Sequence, residues 1–502
     1  MRSRDPKRRR SGVFSLGEDK QIHGELKIRG EATSLYLHDK EFFSPGNIPN
    51  RCIRGILHDL THVTLVDCVC PPVPGSFSRG DDGYHFADVF PHFVIHGESH
   101  LDPHAEVIDE ISFIIDDAVR LFDDFDAFGS LLFDAQPYVD QIVKARTPDR
   151  LIETSEDARL IYFTGKTNVC TAETIYGKVA VERRPGFDFG GSRGAYLQNK
   201  IVIVLAFPTS LAFHKAISHV SVLIDFLGLL VGRPQNLLSL GIRMGCAAEK
   251  PVALEVAWSH APKRDKAAES KKPGSFDVLL DAVRDTAQFS GVLTRWLERQ
   301  EAWHGARWRF FQVFEKQRKY DPDRLIGAAN MFDILPASAV PDNVLLAPEI
   351  TQARAQSRAM FKVLPQSPER DSILGALGRL GRPALKHKIR HRAQTLVEIG
   401  SDLFPDLYTV TDEAVNCRNY YVHGTTSSFD YDRNFDLVTF FTNTLEFVFA
   451  VSDLIEAGWD FRAWAMRGTT MSHPFGSYRV NYRLGLGRLR EVLAKAEKAD
   501  GN

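Results

Sequence analysis

Between residues 261 and 274 the spacing of apolar residues changes from a period of two to a period of 3.6, and this switch constrains the fold more than any other feature of the chain. Ahead of it, short runs alternate apolar and polar residues, as strands that bury one face do. The run 22–28 puts Ile22, Gly24, Leu26 and Ile28 on one side. Similar runs occupy 34–37, 52–57, 63–66, 90–95, 112–115, 160–164, 179–183, 200–207 and 252–258, separated by clusters of Gly, Pro, Asn and Asp. One helix is expected among them, over 210–231, where Leu211, Ile217, Val220, Leu223 and Leu227 recur at helical spacing and Gly232 supplies a stop.

Behind the switch, helices are expected at 275–300, 302–319, 322–334, 348–363, 367–379, 384–399, 409–423, 431–457 and 484–498. Gly400 and Gly458 are expected C-caps. The helix at 431–457 has the strongest signal: Leu437, Phe440, Phe441, Leu445, Val448, Val451 and Leu454 form an apolar stripe, and Asp432 and Asp436 lie near its positive end. Antiparallel bundles bury such stripes. The chain has 502 residues, 44% of them apolar, enough for two or three cores. The expected fold class is therefore α+β: a basic disordered tail over 1–12, a β-rich domain over 13–260, a linker over 261–274 (APKRDKAAESKKPG), and an all-α bundle over 275–502.

The net charge of −2 selects no partner. The front is mildly acidic and the rear mildly basic, with 34 Lys and Arg against 30 Asp and Glu over 263–502, which permits RNA binding there. The cysteines Cys52, Cys68, Cys70, Cys170, Cys246 and Cys417 are scattered without a CxxC pair, as in a reducing compartment. The opening segment carries Arg2, Arg4, Lys7, Arg8, Arg9 and Arg10 and no secretory apolar region; it reads as a solvated tail, or as an arm for nucleic acid. The longest apolar runs, 201–207 and 220–231, fall short of the roughly 20 residues of a membrane span. A cytoplasmic protein without a membrane partner is expected.

Several motifs fail on spacing. Thr164, Gly165, Lys166 and Thr167 end like a phosphate-binding loop, but Leu160 stands where the first glycine is required. The run Gly190 to Gly194 lacks dinucleotide-loop spacing. His92, His96, His100 and His104 recur every four residues, yet Pro91, Gly97 and Pro103 forbid a helix, and on a strand they stand too far apart to share a metal. Cys68 and Cys70 have no second ligand pair. No metal and no cofactor are expected.

One segment survives: Asn416, Cys417, Arg418, Asn419, Tyr420, Tyr421, Val422, His423 and Gly424. It closes the 409–423 helix, whose start Thr409 and Asp412 are expected to cap, and Gly424 provides the left-handed turn after it. Asn419 and His423 are four apart and share a face. Arg418 is offset, but its long side chain can reach round the helix end. A guanidinium grips phosphate with paired hydrogen bonds, and an imidazole beside it can move a proton to or from a ribose oxygen. Arg and His at similar spacing also occur at Arg51 and His58, Arg79 and His85, Arg299 and His304, Arg382 and His387, and Arg467 and His473. Of these, Arg299 and His304 are the serious rival. On residue chemistry alone, an Arg and a His that merely close a helix remain an open alternative.

The run Arg418-Asn419-Tyr420-Tyr421-Val422-His423 resembles the R-N-x-x-x-H motif of HEPN domains, helical bundles common among prokaryotic RNases. At the front, Gly12-Val13-Phe14-Ser15-Leu16 followed by Ile22-His23-Gly24-Glu25-Leu26 resembles the opening of the ApeA-type N-terminal domain, which precedes a HEPN domain in bacterial anti-phage abortive-infection proteins. The resemblance implies a metal-independent endoribonuclease with Arg418 and His423 catalytic and Asn419 in support. It further implies a homodimer or larger homo-oligomer with a composite site, RNA (tRNA among the candidates) as substrate, and a front domain that senses a phage-encoded trigger or restrains the nuclease.

Lys386, Lys388, Arg390 and Arg392 alternate along the 384–399 helix and are candidate contacts to an RNA backbone, although a solvated face accounts for them better. Tyr420 and Tyr421 are candidate stacking platforms; Tyr421 reads equally well as core. Two other readings stay open: a catalytically silent HEPN-like scaffold that binds RNA or protein, and a ligand-binding β domain with an accessory bundle.

Overall fold

The computed structural model describes residues 9–16, 20–43, 51–70, 74–79, 82–131, 136–147, 149, 160–189, 191–246, 250–264, 272–343 and 345–500. The basic segment ahead of residue 9 and the middle of the 261–274 linker lie outside the described residues. The chain divides into two compact units, Met1–Arg264 with Pro273–Leu297, and Asp265–Lys272 with Glu298–Asn502.

The first unit is built on β1 (Arg10–Ser15), β2 (Gln21–Lys27), β3 (Ser34–Asp39), β4 (Ile53–Leu57), β5 (His62–Val66), β6 (Gly75–Arg79), β7 (Asp82–Val89), β8 (Phe93–Gly97) and β9 (Ile108–Ile115). It continues through β10 (Phe128–Leu131), β11 (Leu160–Phe163), β12 (Asn168–Thr174), β13 (Gly177–Arg183), β14 (Gly186–Phe189), β15 (Ala195–Gln198), β16 (Ile201–Leu211), β17 (Leu237–Met244) and β18 (Val252–Trp258). Among the described residues fourteen of these form one antiparallel sheet in the order β12-β13-β16-β9-β17-β18-β8-β5-β4-β1-β2-β3-β7-β6. Alternation explains the burial: in β4, Ile53, Gly55 and Leu57 point inward, and Arg54 and Ile56 outward. Phe14, Ile22, Leu26, Leu37, Ile53, Leu65 and Val94 pool into one core. Gly55 is required there, because a Cβ would stand 2.4 Å from the Phe14 ring. The first sheet strand begins inside the expected tail: Arg10, Ser11 and Gly12 pair with Leu26, Glu25 and Gly24.

The short helices α1 (Ala118–Leu121) and α2 (Gln136–Arg146) lie in the same unit, as does the longer α3 (Phe213–Val231). α3 ends where expected, on Gly232 with φ +89°. The segment expected as one helix over 275–300 is instead a 3-10 turn, Ser275–Asp277, followed by α4 (Thr286–Glu298). Asp285 caps α4 by accepting from the Gln288 amide. Trp296 packs on Phe226 of α3 with ring centroids 5.0 Å apart, and Ser290 and Thr294 donate to the carbonyls of Thr171 and Glu173 in β12. This stretch therefore folds with the β-rich unit, although its helical period had placed it with the bundle.

His219 on α3 lies beneath Tyr176, with stacked rings 3.8 Å apart, and its Nδ1 is buried without a partner. Burial, helped by Lys215, pushes its imidazole down to about 4. The unfolded chain, where a histidine titrates near 6.5, then binds more protons than the folded one. The stability tied to neutral His219 is complete above pH ~6.5 and is lost as pH falls toward 4. At pH 5 the loss is about 2 kcal/mol. Urea unfolding at pH 7.5 and pH 5.0 tests this: the His219→Phe variant should show a smaller drop between the two than the parent, and equal drops would refute it.

The second unit comprises α5 (Gln300–Phe314), α6 (Pro322–Asp333), α7 (Pro348–Lys362), α8 (Pro368–Arg379), α9 (Leu385–Gly400), α10 (Leu407–His423), α11 (Phe435–Glu456), α12 (Phe461–Ala465) and α13 (Pro474–Asp500). α11 is its axis, buried along most of its length. The expected stripe is there, together with two buried acids, Asp453 and Glu446, and a third, exposed Glu456, at its end. Asp453 receives two hydrogen bonds from Arg307, at 2.8 and 3.0 Å, and an ion pair from Arg299. Glu446 receives two from Arg324, at 2.8 and 2.9 Å, and Glu456 pairs with Arg299 and Arg392. α5, α6 and α9 are thus fastened to α11 by charge as well as by apolar packing. By contrast, α7 and α8 bury no side chain.

Local expectations fare unevenly. Gly458, with φ +93°, ends α11. Gly400 is the last residue of α9 rather than its C-cap, which is Ser401, and a Cβ there would crowd Leu403 and Phe461. α10 begins at Leu407 behind left-handed Asp406, so Thr409 and Asp412 do not cap it. α13 starts ahead of the expected residue 484 because Phe475, Tyr478 and Tyr482 are core aromatics. α3 and α11 are long and apolar enough to cross a membrane by length and composition, and the qualifying windows are 67% and 83% buried within the fold.

Candidate active site

The site assembles at the C-terminal end of α10. Gly424 takes φ +63°, and its N–H donates to the Tyr420 carbonyl, ending the helix one residue after His423. At this end the Arg418 side chain turns along the last turn toward the imidazole. Its Nη1 lies 3.2 Å from His423 Nε2 and donates to Asn419 Oδ1 at 3.0 Å. Its Nη2 donates to Oδ1 of Asn330, 3.0 Å away on α6. Two side-chain amides from two helices therefore orient one guanidinium toward one imidazole. The Arg418–His423 contact is a hydrogen bond when Nε2 carries no proton, which places the ring proton on Nδ1. His423 is exposed, Arg418 half-buried, and Arg418 Nε is buried without a partner. An incoming phosphate oxygen can take the Nη1 donor and leave Nε2 open.

Asn330 was missed in the sequence. The available signal was an amide set in the otherwise apolar stretch Ala328, Ala329, Met331, Phe332, all four of which are buried.

The remaining candidates separate. Arg392 is buried, donating to Ser452 and Glu456 over the Trp303 ring, so it faces the bundle core and cannot track an RNA backbone. Arg390 pairs with Asp412 and Lys388 with Asp333. Lys386 has no ion-pair partner among the described residues. Tyr420 is half-buried and makes T-shaped contacts with Tyr431 and Tyr421. The Tyr421 hydroxyl donates to Asp432, and burial together with this carboxylate raises its pKa well above the usual phenol range. Cys417, next to the guanidinium, is buried, and its thiol is pushed up to about 12, so it is no nucleophile. The rival pair does not form: Arg299 is bound to Asp453 and Glu456 and stacks on Trp303, away from His304.

The rejected motifs are occupied structurally. Lys166 is ion-paired to Asp124 at 3.0 Å. His92 accepts from Trp258 Nε1, His96 faces Glu255, and His100 Nδ1 meets the Val63 carbonyl. Among the described residues no group of three or more His, Cys, Asp or Glu is placed to hold a metal ion.

A helical bundle in which an Arg-Asn-x-x-x-His turn closes one helix and a neighbouring helix clamps the arginine has the features of a HEPN domain, and residues 326–462 match the family described as Apea-like HEPN. Residues 9–296, more than half of the chain, match ApeA N-terminal domain 1, and all but the last two residues of α4 fall inside that match. The chain belongs to the ApeA-like family, with a C-terminal HEPN domain. No curated protein and no solved structure matches it.

Proposed function

We propose that the protein is a metal-independent endoribonuclease of a prokaryotic anti-phage system, with Arg418 and His423 as catalytic residues and Asn419 and Asn330 as positioning residues. The observation that carries this reading is the 3.2 Å approach of the Arg418 guanidinium to His423 Nε2 at an exposed helix end. In the proposed reaction His423 removes the proton from a ribose 2′-OH. The 2′-oxygen attacks phosphorus, and the bond to the 5′-oxygen breaks. Arg418 donates to the phosphate oxygens as charge builds there. The leaving 5′-oxygen takes a proton from an imidazolium, either His423 in turn or its counterpart in a second copy. The products are a 2′,3′-cyclic phosphate and a 5′-hydroxyl. The front unit would act as the sensor or restraint that answers to a phage trigger, and the working compartment would be the cytoplasm.

Incubation of the full chain with end-labelled RNA tests the chemistry. Cleavage with those termini, unaffected by EDTA and absent on 2′-O-methyl RNA, is expected. Binding without any cleavage would leave the silent scaffold as the better reading.

Asn330 supplies a finer prediction. Asn330→Ala removes the acceptor on Nη2 and frees Arg418 to swing, which should lower kcat by roughly tenfold to a hundredfold with KM little changed. Asn330→Asp, which keeps an acceptor, should restore most of the loss. A change confined to KM would count against a positioning role.

A further inference from the structure

The helical hairpin α7–α8 is the one helical element pair of the second unit in which no side chain is buried. It leaves the bundle between α6 and α9, and its root lies beside the proposed site. Asn330, which holds Arg418, and Asp333, which holds Lys388 of α9, are one helical turn apart on α6. Two helices this short gain too little from each other to be ordered by propensity alone.

The charge of the hairpin is one-sided. Residues 345–386 carry seven cations, Arg354, Arg358, Lys362, Arg370, Arg379, Arg382 and Lys386, against Glu349, Glu369 and Asp371. Arg354 is engaged with the Leu380 carbonyl, and Arg370 with Phe361, Lys362 and Asp371. Arg358, Lys362, Arg379 and Arg382 are exposed, and among the described residues they have no ion-pair partner. Arg358 and Lys362 stand four apart, on one face. The cations on α9 beyond Lys386, by contrast, are all consumed by Asp333, Asp412 and Glu456. The free positive charge of these helices is therefore on the hairpin and its return, with Arg379 and Arg382 toward the root and Arg358 and Lys362 toward the tip, not on the helix where the sequence pattern placed it.

We infer that α7–α8 is a substrate arm that holds the phosphate backbone of single-stranded RNA and leads it to the end of α10. This rests on the ribonuclease reading for its purpose but not for its test. RNA is favoured over a protein occupant because the exposed, unpaired cations outnumber the exposed acids Glu349 and Glu369 two to one, the complement of a polyanion. The exposed apolar residues Met360 and Val363 offer the competing occupant, a second copy of this chain.

The test uses the full chain carrying His423→Ala, so that the RNA stays intact, and a labelled single-stranded RNA 20-mer followed by fluorescence anisotropy. Adding Arg358→Gln, Lys362→Gln, Arg379→Gln and Arg382→Gln should raise Kd at least tenfold at 0.1 M salt. The slope of log Kd against log salt should fall by about 0.7 for each cation removed. Unchanged affinity and slope, or no RNA binding by either protein, overturns the arm. Arm-dependent binding by a chain whose unmutated form never cuts RNA would support the arm while sinking the nuclease reading. A Met360→Glu, Val363→Glu variant that loses a dimer in sedimentation velocity yet keeps the parent's RNA affinity would assign the hairpin to a second copy and overturn the proposal.

Discussion

His423→Ala and Arg418→Ala are each expected to reduce RNA cleavage at least a hundredfold while leaving the fold intact. Loss of a general acid–base imidazole costs about two to four powers of ten, and loss of a preorganised donor to a charged transition state costs about two to three. The two act on one phosphodiester, so the double variant should be scarcely worse than either single one. Stability should hold because His423 is exposed and Arg418 bonds only to His423 and two asparagine amides. Arg418→Lys separates charge from geometry. A lysine keeps the positive charge but loses the fork that reaches Asn330 and the imidazole together, and most of the activity should go with it. Urea midpoints matching the parent, together with absent cleavage, are the expected pair of results. A variant that cuts at the parent's rate would end the assignment.

The second large effect concerns stability. Asp453 is 3% exposed and takes two hydrogen bonds from Arg307, itself 2% exposed. Asp453→Leu strands a guanidinium inside the bundle and should cost about 3–5 kcal/mol. Adding Arg307→Met removes the stranded charge and should recover at least half of that loss, because the penalty comes from the uncompensated ion rather than from the missing contact. Urea unfolding followed by far-UV circular dichroism reads both. If the double variant is no more stable than Asp453→Leu, buried charge is not the cause.

The two architectures were legible because each is written in a local period: alternation in β2 and β4, and the 3.6 spacing in α11. What escaped depends on partners distant in sequence. Nothing local assigns α4 to the sheet; Phe226 does, some 60 residues earlier. The acids Asp453 and Glu446 of α11 look like surface residues until Arg307 and Arg324 meet them. One miss was avoidable. Arg392 lies on the stripe of Ile389, Ala393 and Leu396, so the helical period that predicts the helix also turns this arginine inward. In the candidate site, Arg418, Asn419 and His423 were found together because one helix turn contains them. Asn330 needed the fold.

The pairing of β8 with β18 joins residues 93–97 to 254–258, and α4 packs on α3 through both Phe289 and Trp296. On a ribosome, therefore, the front unit completes only after nearly 300 residues have been made. The roughly 125 residues that separate Trp296 from His423 then take on the order of ten seconds to emerge. The nascent chain thus has time to finish its front unit before the turn that carries Arg418 and His423 exists, and a cell need never hold the second without the first.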